Sequence, residues 1–482
     1  MKIKYIISVQ VAVALMFISI IVLPHTTQRE KAIIIVFTNV NIIDATGAPA
    51  QSDMTVVITG DSITDIGKTG EVRVPRNAQV INASGKYLIP GLWDMHVHFW
   101  SDEKLLALYV ANGITSVRDM GGDISRIKRW RREIVSGKLL APRIVAAADF
   151  PLDGAPFELP LLGLKPIVVK TPAESKTAVD NLKNNGTDFI KILSTLSRES
   201  YFAIADESRR RQISFAGHIP ETVSASEASD AGQKSVEHLF GIVLACSSRE
   251  SELKSARAEA LAKQDWGKLL QIENELLDTF DDKKAEALFK KFARNKTWQT
   301  PTLTMLKRMY LRFETDPTKD PRLKYIPPSL KDNWGNPMED LKKTSPPAVA
   351  YFDRTFKRNF EIVRLMKSAN VKILAGTDTG DPFTFPGSTL HEELELLVQA
   401  GLTPMEALQS ATRNPVEYQG LLNSFGTIEK GKTADLLLLD ANPLEDIRNI
   451  QKINAVVFGG ILLLGVRLQE ILLQAESTAA GK

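Results

Sequence analysis

Two histidines two residues apart are the first feature of this sequence that could do chemistry. His96 and His98 lie in the segment IPGLWDMHVH, which has the apolar character of a β-strand. Side chains two positions apart on a strand point to the same face, so both imidazoles can bind one metal ion. Two polar strand residues that face solvent or a polar part of the core would give the same spacing.

A lysine within an apolar strand is the second feature. Lys191 lies in DFIKILS, between Ile190 and Ile192. Burial at this position would disfavour the charged ammonium group and lower its pKa. A neutral lysine amine can react with carbon dioxide to give a carbamate, an anionic group that can bridge two cations. The alternative is a lysine whose ammonium reaches solvent at the strand end or pairs with a carboxylate.

Three more side chains of the metal-ligand type come at the ends of predicted strands. His218 lies in SFAGHIP, His238 in SVEHLFG and Asp378 in KILAGTDTGDP. Each alone is ambiguous, because a strand-end histidine is often structural and an aspartate there can be a turn residue. Together with the first three, they give the order His-x-His, Lys, His, His, Asp at successive strand ends. That order predicts a metal centre with nitrogen and oxygen ligands.

The elements that would position these residues alternate along the chain. Strand-like apolar runs alternate with amphipathic helical segments over residues 91–416, which predicts parallel strands joined by helices. About eight such strands match an α/β fold of the (β/α)8 or TIM-like barrel type, whose active sites lie at the carboxyl ends of the strands. The length exceeds that of a minimal barrel, and we assign the surplus to insertions near 247–282 and 316–347. Short strands in 33–90 and 417–470 predict a small β-sandwich domain formed by the N- and C-terminal segments.

Composition and the first residues limit the other possibilities. The 60 basic and 57 acidic residues give a formal net charge of +3 and are interspersed, so nucleic acid is not an expected partner. Cys246 is the only cysteine, which excludes an intrachain disulfide and a cysteine-based zinc site. Residues 1–28 contain Lys2 and Lys4 followed by an apolar run, Tyr5–Leu23. This predicts either a cleaved signal peptide or a retained N-terminal membrane anchor, and with both an exported, periplasmic or extracellular protein.

The motifs around these residues resemble those of the amidohydrolase superfamily, in particular the imidazolonepropionase-like branch that includes metal-dependent Xaa-Pro dipeptidases. The matching segments cover nearly everything after the leader: IPGLWDMHVH, GITSVRDMGG, DFIKIL, GHIP, AGQKSVEHL, LAGTDTG, LHEELELLVQAGLTPMEALQSATRNP and GTIEKGKTADLLLLD. The two insertions have no counterpart in this pattern, which leaves the substrate open.

The resemblance implies a centre of two divalent ions, with zinc as the expected metal. His96, His98 and Asp378 would hold the more buried ion, His218 and His238 the more exposed one, and carbamylated Lys191 would bridge them. A hydroxide shared by the two ions would attack the carbonyl of a small-molecule substrate, such as an Xaa-Pro dipeptide or an N-acyl amino acid, and cleave its C–N bond. Asp378 would carry the proton to the departing amine, and His238 would help to stabilise the oxyanion.

Two residues outside this set are weaker candidates for substrate binding, and two rival functions stay open. Arg118 could bind a substrate carboxylate or form a structural ion pair. His391, at the start of a predicted helix capped by Thr389 and Glu392, could face substrate or solvent. The first rival is an imidazolonepropionase-like hydrolase of cyclic amides with one metal ion, and the second is a non-catalytic binding barrel. The sequence does not decide the oligomeric state.

Overall fold

Strands from the two ends of the chain form one sheet, and the strands between them form parallel sheets with helices. The computed structural model describes residues 33–99, 103–157 and 165–481. The predicted leader lies outside these residues. Within them, no helix is long and apolar enough to span a membrane.

The strands of the described residues are listed here in chain order. They are β1 (Ile34–Ile42), β2 (Gln51–Thr59), β3 (Ser62–Lys68), β4 (Gln79–Asn82), β5 (Tyr87–Pro90), β6 (Leu92–Val97), β7 (Ile114–Asp119), β8 (Arg143–Ala147), β9 (Leu152–Asp153), β10 (Ile167–Val168), β11 (Phe189–Ile192), β12 (Ser214–Gly217), β13 (Ser235–Glu237), β14 (Trp298–Thr300), β15 (Leu436–Leu439), β16 (Ile453–Phe458) and β17 (Ile461–Leu464).

The helices of the same residues follow, also in chain order. They are α1 (Ala107–Ala111), α2 (Ile124–Val135), α3 (Pro172–Asn184), α4 (Arg198–Arg210), α5 (Ala225–Asp230), α6 (Ile242–Cys246), α7 (Glu250–Ala262), α8 (Trp266–Asp278), α9 (Asp282–Asn295), α10 (Leu303–Met309), α11 (Pro328–Lys331), α12 (Pro337–Lys343), α13 (Pro346–Ser368), α14 (Ser388–Gln399), α15 (Pro404–Ser410), α16 (Arg413–Gln419) and α17 (Gly465–Ala479). Short 3-10 helices span Glu103–Leu105, Pro317–Lys319, Pro321–Tyr325 and Ile447–Gln451.

The predicted pairing of the N- and C-terminal segments is confirmed. Strands β17, β16, β15, β5, β1, β2 and β3 follow one another in an eight-stranded sheet, with β4 also paired to β1. The junction between the two ends is the antiparallel pair β5–β15, in which Pro90 lies opposite Leu436. Hydrogen bonds join all eight strands in one sheet, rather than in the two sheets that a sandwich implies. Apolar side chains of β1 and β15 share one buried cluster, so the sheet encloses its own core.

The parallel strands carry the predicted site residues at their carboxyl ends. Strands β6, β7 and β8 form one parallel sheet, and β10, β9, β11, β12, β13 and β14 form another. The backbone N–H of Asp188 donates to Ala147 O (2.9 Å), which links β11 to β8. The large apolar cluster of the molecule lies between these strands and the helices around them. The fold is therefore of the α/β type, with an additional sheet, as predicted.

The predicted last strand, in KILAGTD, is shorter than expected. Residues 372–379 form only isolated parallel bridges, Gln299 to Ile373 on one side and Val97 to Thr379 on the other. A Cβ at Gly376 would lie 2.6 Å from Thr300 Cγ2 and 2.8 Å from His96 Cβ. Glycine is required at this position because the neighbouring strands approach so closely, and this packing brings the segment against β6.

Two other regions extend or correct the predicted organisation. The first predicted insertion forms α7 and α8, and the second forms short helices such as α11 and α12, consistent with segments outside the repeating strand and helix pattern. Helix α17 was not predicted; the sequence analysis ended the second β segment at residue 470, inside this helix. Ile33–Lys482 forms one compact unit, so the terminal sheet is not a separate body.

Candidate metal centre

His96 and His98 sit at the end of β6 with their imidazoles held by hydrogen bonds. Nδ1 of His96 lies 2.8 Å from Glu237 Oε2, and Nδ1 of His98 lies 3.2 Å from the carbonyl oxygen of Gly121. These partners accept hydrogen bonds from Nδ1–H, which leaves the Nε2 lone pairs available as ligands. Both Nε2 atoms approach Asp378 Oδ1, at 3.2 Å for His96 and 3.5 Å for His98.

Asp378 completes this group from the other side of β6. Its backbone N–H donates to His96 O (2.8 Å), and its φ is +57°, in the left-handed region. Non-glycine residues adopt this conformation mainly where the surroundings impose it, and such positions cluster at functional sites. The ligand atoms of His96, His98 and Asp378 all lie within 4.8 Å of one another. The structure thus brings together the three residues predicted to hold the more buried ion.

His218 and His238 directly follow β12 and β13, which are neighbouring strands of the second parallel sheet. The His238 ring centroid is 4.6 Å from that of His96 and 5.1 Å from that of His218. Nδ1 of His218 lies 2.8 Å from Ser194 Oγ, and Nδ1 of His238 lies 2.7 Å from Thr302 Oγ1. The hydroxyl partners fix the rings through Nδ1, and in the tautomer in which Nδ1–H donates to the hydroxyl oxygen, Nε2 of each ring is the ligand atom.

Lys191 faces the same pocket from β11. The pocket has a volume of about 400 Å³, and its lining includes His98, Lys191, His218, His238 and Asp378. Lys191 is 3% exposed, and no carboxylate of the described residues lies within 4 Å of its ammonium. Burial lowers the pKa of Lys191 to about 8, because the charged form loses its hydration, although Glu237 and Asp378 oppose this shift.

The protonation states of the site suit cation binding. Burial lowers the pKa of His98 to about 4 and the pKa values of His218 and His238 well below their usual range. These imidazoles are therefore neutral at neutral pH. His96 differs, because burial lowers its pKa but attraction to Asp378 outweighs burial and raises it. For Asp378, burial raises the pKa, but attraction to His96 outweighs this and the pKa lies well below its usual value, so the carboxyl group stays ionised. Neutral imidazole and ionised carboxylate are the forms that bind metal.

A divalent cation fits this set of donors. Imidazole nitrogens and a carboxylate oxygen are the ligands that zinc takes in the absence of cysteine. Nε2 of His96 is buried and makes no hydrogen bond, which is costly for a polar atom unless a ligand occupies the position. The residues present are therefore compatible with the metal that the sequence motifs imply.

Arg118 is buried and is not among the residues that line the metal pocket, which favours the structural ion pair over the predicted substrate-binding role. Its side chain is 1% exposed and donates to both carboxylate oxygens of Glu237, at 3.0 and 2.9 Å. It also donates to Met95 O (2.6 Å), Ser235 Oγ (2.9 Å) and Tyr418 Oη (3.1 Å). With these contacts, the guanidinium serves as the structural ion pair that the sequence analysis had kept as the alternative.

His391 is likewise remote from the pocket. It is 6% exposed, inside α14, and its Nε2 lies 2.9 Å from Asn112 O. Burial lowers its pKa to about 4. Thr389 does not cap this helix through its side chain; its hydroxyl accepts a hydrogen bond from Phe385 N (2.7 Å). The side chain of His391 joins two parts of the scaffold, and it is neither exposed nor among the residues that line the metal pocket, so the structure gives no support to a substrate-binding role.

The sequence analysis missed Glu237, Asp94 and Asp381, three acids close in sequence to the predicted ligands. Glu237 orients His96 and pairs with Arg118, and Asp94 accepts hydrogen bonds from Thr377 N (3.1 Å) and Thr377 Oγ1 (2.7 Å). Asp381 lines the pocket beside Asp378. Burial raises the pKa values of Asp94 and Asp381 to about 7. The sequence contained a sign of their role, because each of these acids lies within three residues of a predicted metal ligand.

Comparison with known proteins gives the same assignment. Residues 337–463 match the model of the amidohydrolase family. The ochratoxinase of Aspergillus niger is 22% identical over 440 residues, covering 78% of this chain and 76% of that protein.

Two solved structures are similar over most of the chain. A bottromycin amidohydrolase has a TM-score of 0.70 and 21% identity, covering 92% of this chain and 90% of its own. A Xaa-Pro dipeptidase with bound methionine in its active site has a TM-score of 0.63 and 21% identity, covering 90% and 100%. At this level of identity, the structures show a common fold. The family match over residues 337–463, the common fold and the convergent ligand set support one assignment, a hydrolase of carbon–nitrogen bonds similar to the amidohydrolases.

Proposed function

We propose that this protein hydrolyses the amide bond of a small substrate at a centre of two divalent metal ions, with an Xaa-Pro dipeptide or an N-acyl amino acid as the substrate class. Zinc is the expected metal. The fold similarity to a Xaa-Pro dipeptidase supports dipeptides as the first substrates to test.

The observation that carries the proposal is the position of Lys191. It faces the pocket lined by His98, His218, His238 and Asp378, with no carboxylate of the described part of the chain within 4 Å to neutralise its ammonium. A buried unpaired cation among histidines is unfavourable, and it would also repel a metal ion. In the proposed centre, the Lys191 amine adds to carbon dioxide and loses a proton, which gives an anionic carbamate in place of the cation.

The ligands divide into two groups around this carbamate. His96, His98 and Asp378 would hold one ion, His218 and His238 the other, and carbamylated Lys191 would contact both. When bound, the two ions supply an ionised water molecule near neutral pH and polarise the scissile carbonyl.

The chain itself moves the proton and holds the substrate. Asp378 Oδ2 lies 3.8 Å from His238 Nδ1, beyond hydrogen-bond distance, and would accept the proton of the attacking water. It would then donate that proton to the departing amine nitrogen as the C–N bond breaks. His238 Nδ1 is fixed by Thr302, so the ring would act on the negative charge that develops on the carbonyl oxygen through the ion that its Nε2 would hold.

The scaffold and the location belong to the same proposal. We propose that the two parallel sheets and residues 372–379 form a closed (β/α)8 barrel, supported by the hydrogen bond from Asp188 to Ala147 and the bridges on both sides of residues 372–379. We also propose that the protein is exported by its N-terminal apolar segment, either cleaved or retained as an anchor.

Metal analysis combined with a substrate library tests the proposed function. The purified protein should hold about two equivalents of metal and hydrolyse members of a library of Xaa-Pro dipeptides and N-acyl amino acids. Lys191→Ala should lose at least one equivalent and lose activity. Lys372→Ala is the control, because the ammonium of Lys372 pairs at the surface with Glu417 (3.4 Å).

Each alternative gives a different result. One equivalent of metal in the wild type, with activity that survives Lys191→Ala, would support a one-metal ring-opening hydrolase. A metal-loaded protein that is inactive across the library would contradict the proposed substrate class. A protein without metal affinity would contradict the metal centre itself.

A further inference from the structure

A second cavity adjoins the metal pocket. It has a volume of about 410 Å³, within the range of small-molecule sites. We call it the aromatic chamber and define it by its main apolar walls, Phe240, Leu276, Leu277, Tyr310, Tyr351 and Phe352. His238 and Phe240 line both the chamber and the metal pocket, so the two cavities share a wall.

The shared wall joins the chamber to the proposed reacting centre. The Phe240 ring centroid lies 5.0 Å from the ring of His238 and 5.1 Å from that of His218. A group that enters the chamber therefore contacts the residue proposed to stabilise the carbonyl oxygen. The ring distances of about 5 Å between Phe240 and the two histidines suit a substrate side chain that lies close to the scissile bond.

The far side of the chamber is built from the first insertion and the long helix α13. Leu276 and Leu277 come from α8, and Tyr351 and Phe352 come from α13. The rings of Tyr310 and Phe352 pack at 5.7 Å between centroids, and those of Tyr351 and Phe352 at 5.9 Å. Because the insertion has no counterpart in the superfamily motifs, the chamber follows from this chain's own sequence.

The polar groups of the chamber are already paired with one another. Arg257 forms ion pairs with Glu221 and with Glu273, the latter with an Nε–Oε1 distance of 2.7 Å. The Tyr351 hydroxyl donates to Glu273 Oε2 at 3.2 Å. No charge is left over for a substrate carboxylate, because the one cation has two anionic partners. The larger part of the free surface of the chamber is therefore apolar and aromatic.

We propose that the aromatic chamber receives a bulky aromatic side chain of the substrate, next to the amide bond that is cleaved. This inference rests on the proposed function and narrows its substrate class to aromatic members. Aromatic rings bury large apolar areas and pack edge to face with other rings, as the chamber walls provide. An aromatic substrate should therefore be favoured over its glycine analogue by at least about tenfold in kcat/KM.

Matched substrate pairs and a chamber-filling variant test this inference. The pairs are Phe-Pro with Gly-Pro, and N-acetylphenylalanine with N-acetylglycine, which place the ring on either side of the amide. Val243→Trp adds an indole inside the chamber without touching the metal pocket, since Val243 lines only the chamber. The V243W variant should reduce the ratio of kcat/KM for the aromatic substrate to kcat/KM for its glycine analogue to below about threefold. Its kcat/KM for the glycine substrate should stay within about threefold of the wild-type value.

A second variant and a control guard against misfolding. Met309→Trp fills the chamber from another wall, and Met309 is 42% exposed, so a larger side chain is tolerated there. Val466→Trp is the matched control on α17, where Val466 is 76% exposed. Only variants with wild-type circular dichroism and metal content are compared. An aromatic preference below threefold in the wild type for both pairs, or one that persists in folded V243W and M309W, overturns the inference.

An unreactive probe separates failure of the chamber from failure of the proposed function. Equilibrium dialysis with 1-naphthalenemethanol should show binding to the wild type and to V466W, with at least tenfold weaker binding to V243W. Probe binding with this pattern and no hydrolysis of any library member would reject the proposed function and keep the chamber. Hydrolysis of library members without probe binding and without aromatic preference would keep the proposed function and reject the chamber as the binding site.

Discussion

Replacing Glu237 by glutamine should weaken metal binding and destabilise the fold, because it removes the negative charge that orients His96 and pairs with Arg118. Glu237 is wholly buried and contacts Arg118 through both oxygens, Ser235 Oγ at 2.6 Å and His96 Nδ1 at 2.8 Å. Burial raises the pKa of Glu237, but attraction to Arg118 and His96 outweighs it, and the pKa lies well below its usual value. The group is therefore a carboxylate, and the substitution removes a full negative charge.

The magnitude follows from the contacts that are lost. Glu237→Gln leaves Arg118 as a buried cation without its partner, which costs about 3–5 kcal/mol of the free energy of unfolding. Loss of the acceptor charge behind a metal-binding histidine typically weakens metal affinity by about 10–100-fold. Urea unfolding of chelator-treated protein measures the first quantity, and competition with a chromogenic chelator measures the second.

A double variant decides whether charge compensation is the cause. Arg118→Met combined with Glu237→Gln removes both charges, so it should be destabilised by less than the sum of the two single changes. Glu470→Gln is the control, because Glu470 pairs with Arg467 at the surface (2.8 Å, both side chains 56% exposed), and it should change stability by less than about 0.5 kcal/mol. The reasoning is refuted if Glu237→Gln costs less than about 1 kcal/mol, or if the two single effects add.

Three further predictions concern packing, capping and pH. Gly376→Ala should lower the melting temperature and the metal content, because the added Cβ would lie 2.8 Å from His96 Cβ. Gly267→Ala in α8 is the control, because the added Cβ would lie 3.6 Å from the nearest atom, Asp265 Oδ1. In the same measurements, this control should be neutral or slightly stabilising. Thr171→Ala removes half of the capping box of α3 and should cost about 1 kcal/mol in urea unfolding. Hydrogen bonding to Arg198 lowers the pKa of Glu227 to about 2, so its stabilising effect is complete above its unfolded pKa of about 4.3 and is lost as the pH falls toward 2. The difference in melting temperature between wild type and Glu227→Gln should therefore narrow between pH 6 and pH 3, and a constant difference would contradict this.

The residues of the site could be predicted from sequence because each ends a strand. In a parallel sheet, carboxyl ends lie on one side, so His98, His218 and His238 could be expected to meet although they are far apart in the chain. Lys191 was predicted from its apolar neighbours together with the histidine ligands. The sequence could not show the packing that distinguishes a residue that lines the pocket from one that only contacts the scaffold around it.

Arg118 and His391 illustrate that limit. A strand-end arginine is compatible with substrate binding until the partner on another strand is known, and Glu237 lies 119 positions away. His391 contacts Asn112, 279 positions away, and a helix start gives no sign of such a contact. Similarly, the need for glycine at position 376 comes from the close approach of Thr300 and His96, which lie on two other strands. Each error concerned a contact that exists only in the folded chain.

The pairing of Pro90 with Leu436 has a consequence for biosynthesis. While the ribosome is still making the middle of the chain, β5 has only β1 beside it, and its other edge carries unsatisfied backbone groups. The sheet is completed only when β15, β16 and β17 have emerged, after all the residues of the metal centre. A nascent or truncated chain that lacks them should therefore depend on chaperones and be prone to association through this open edge.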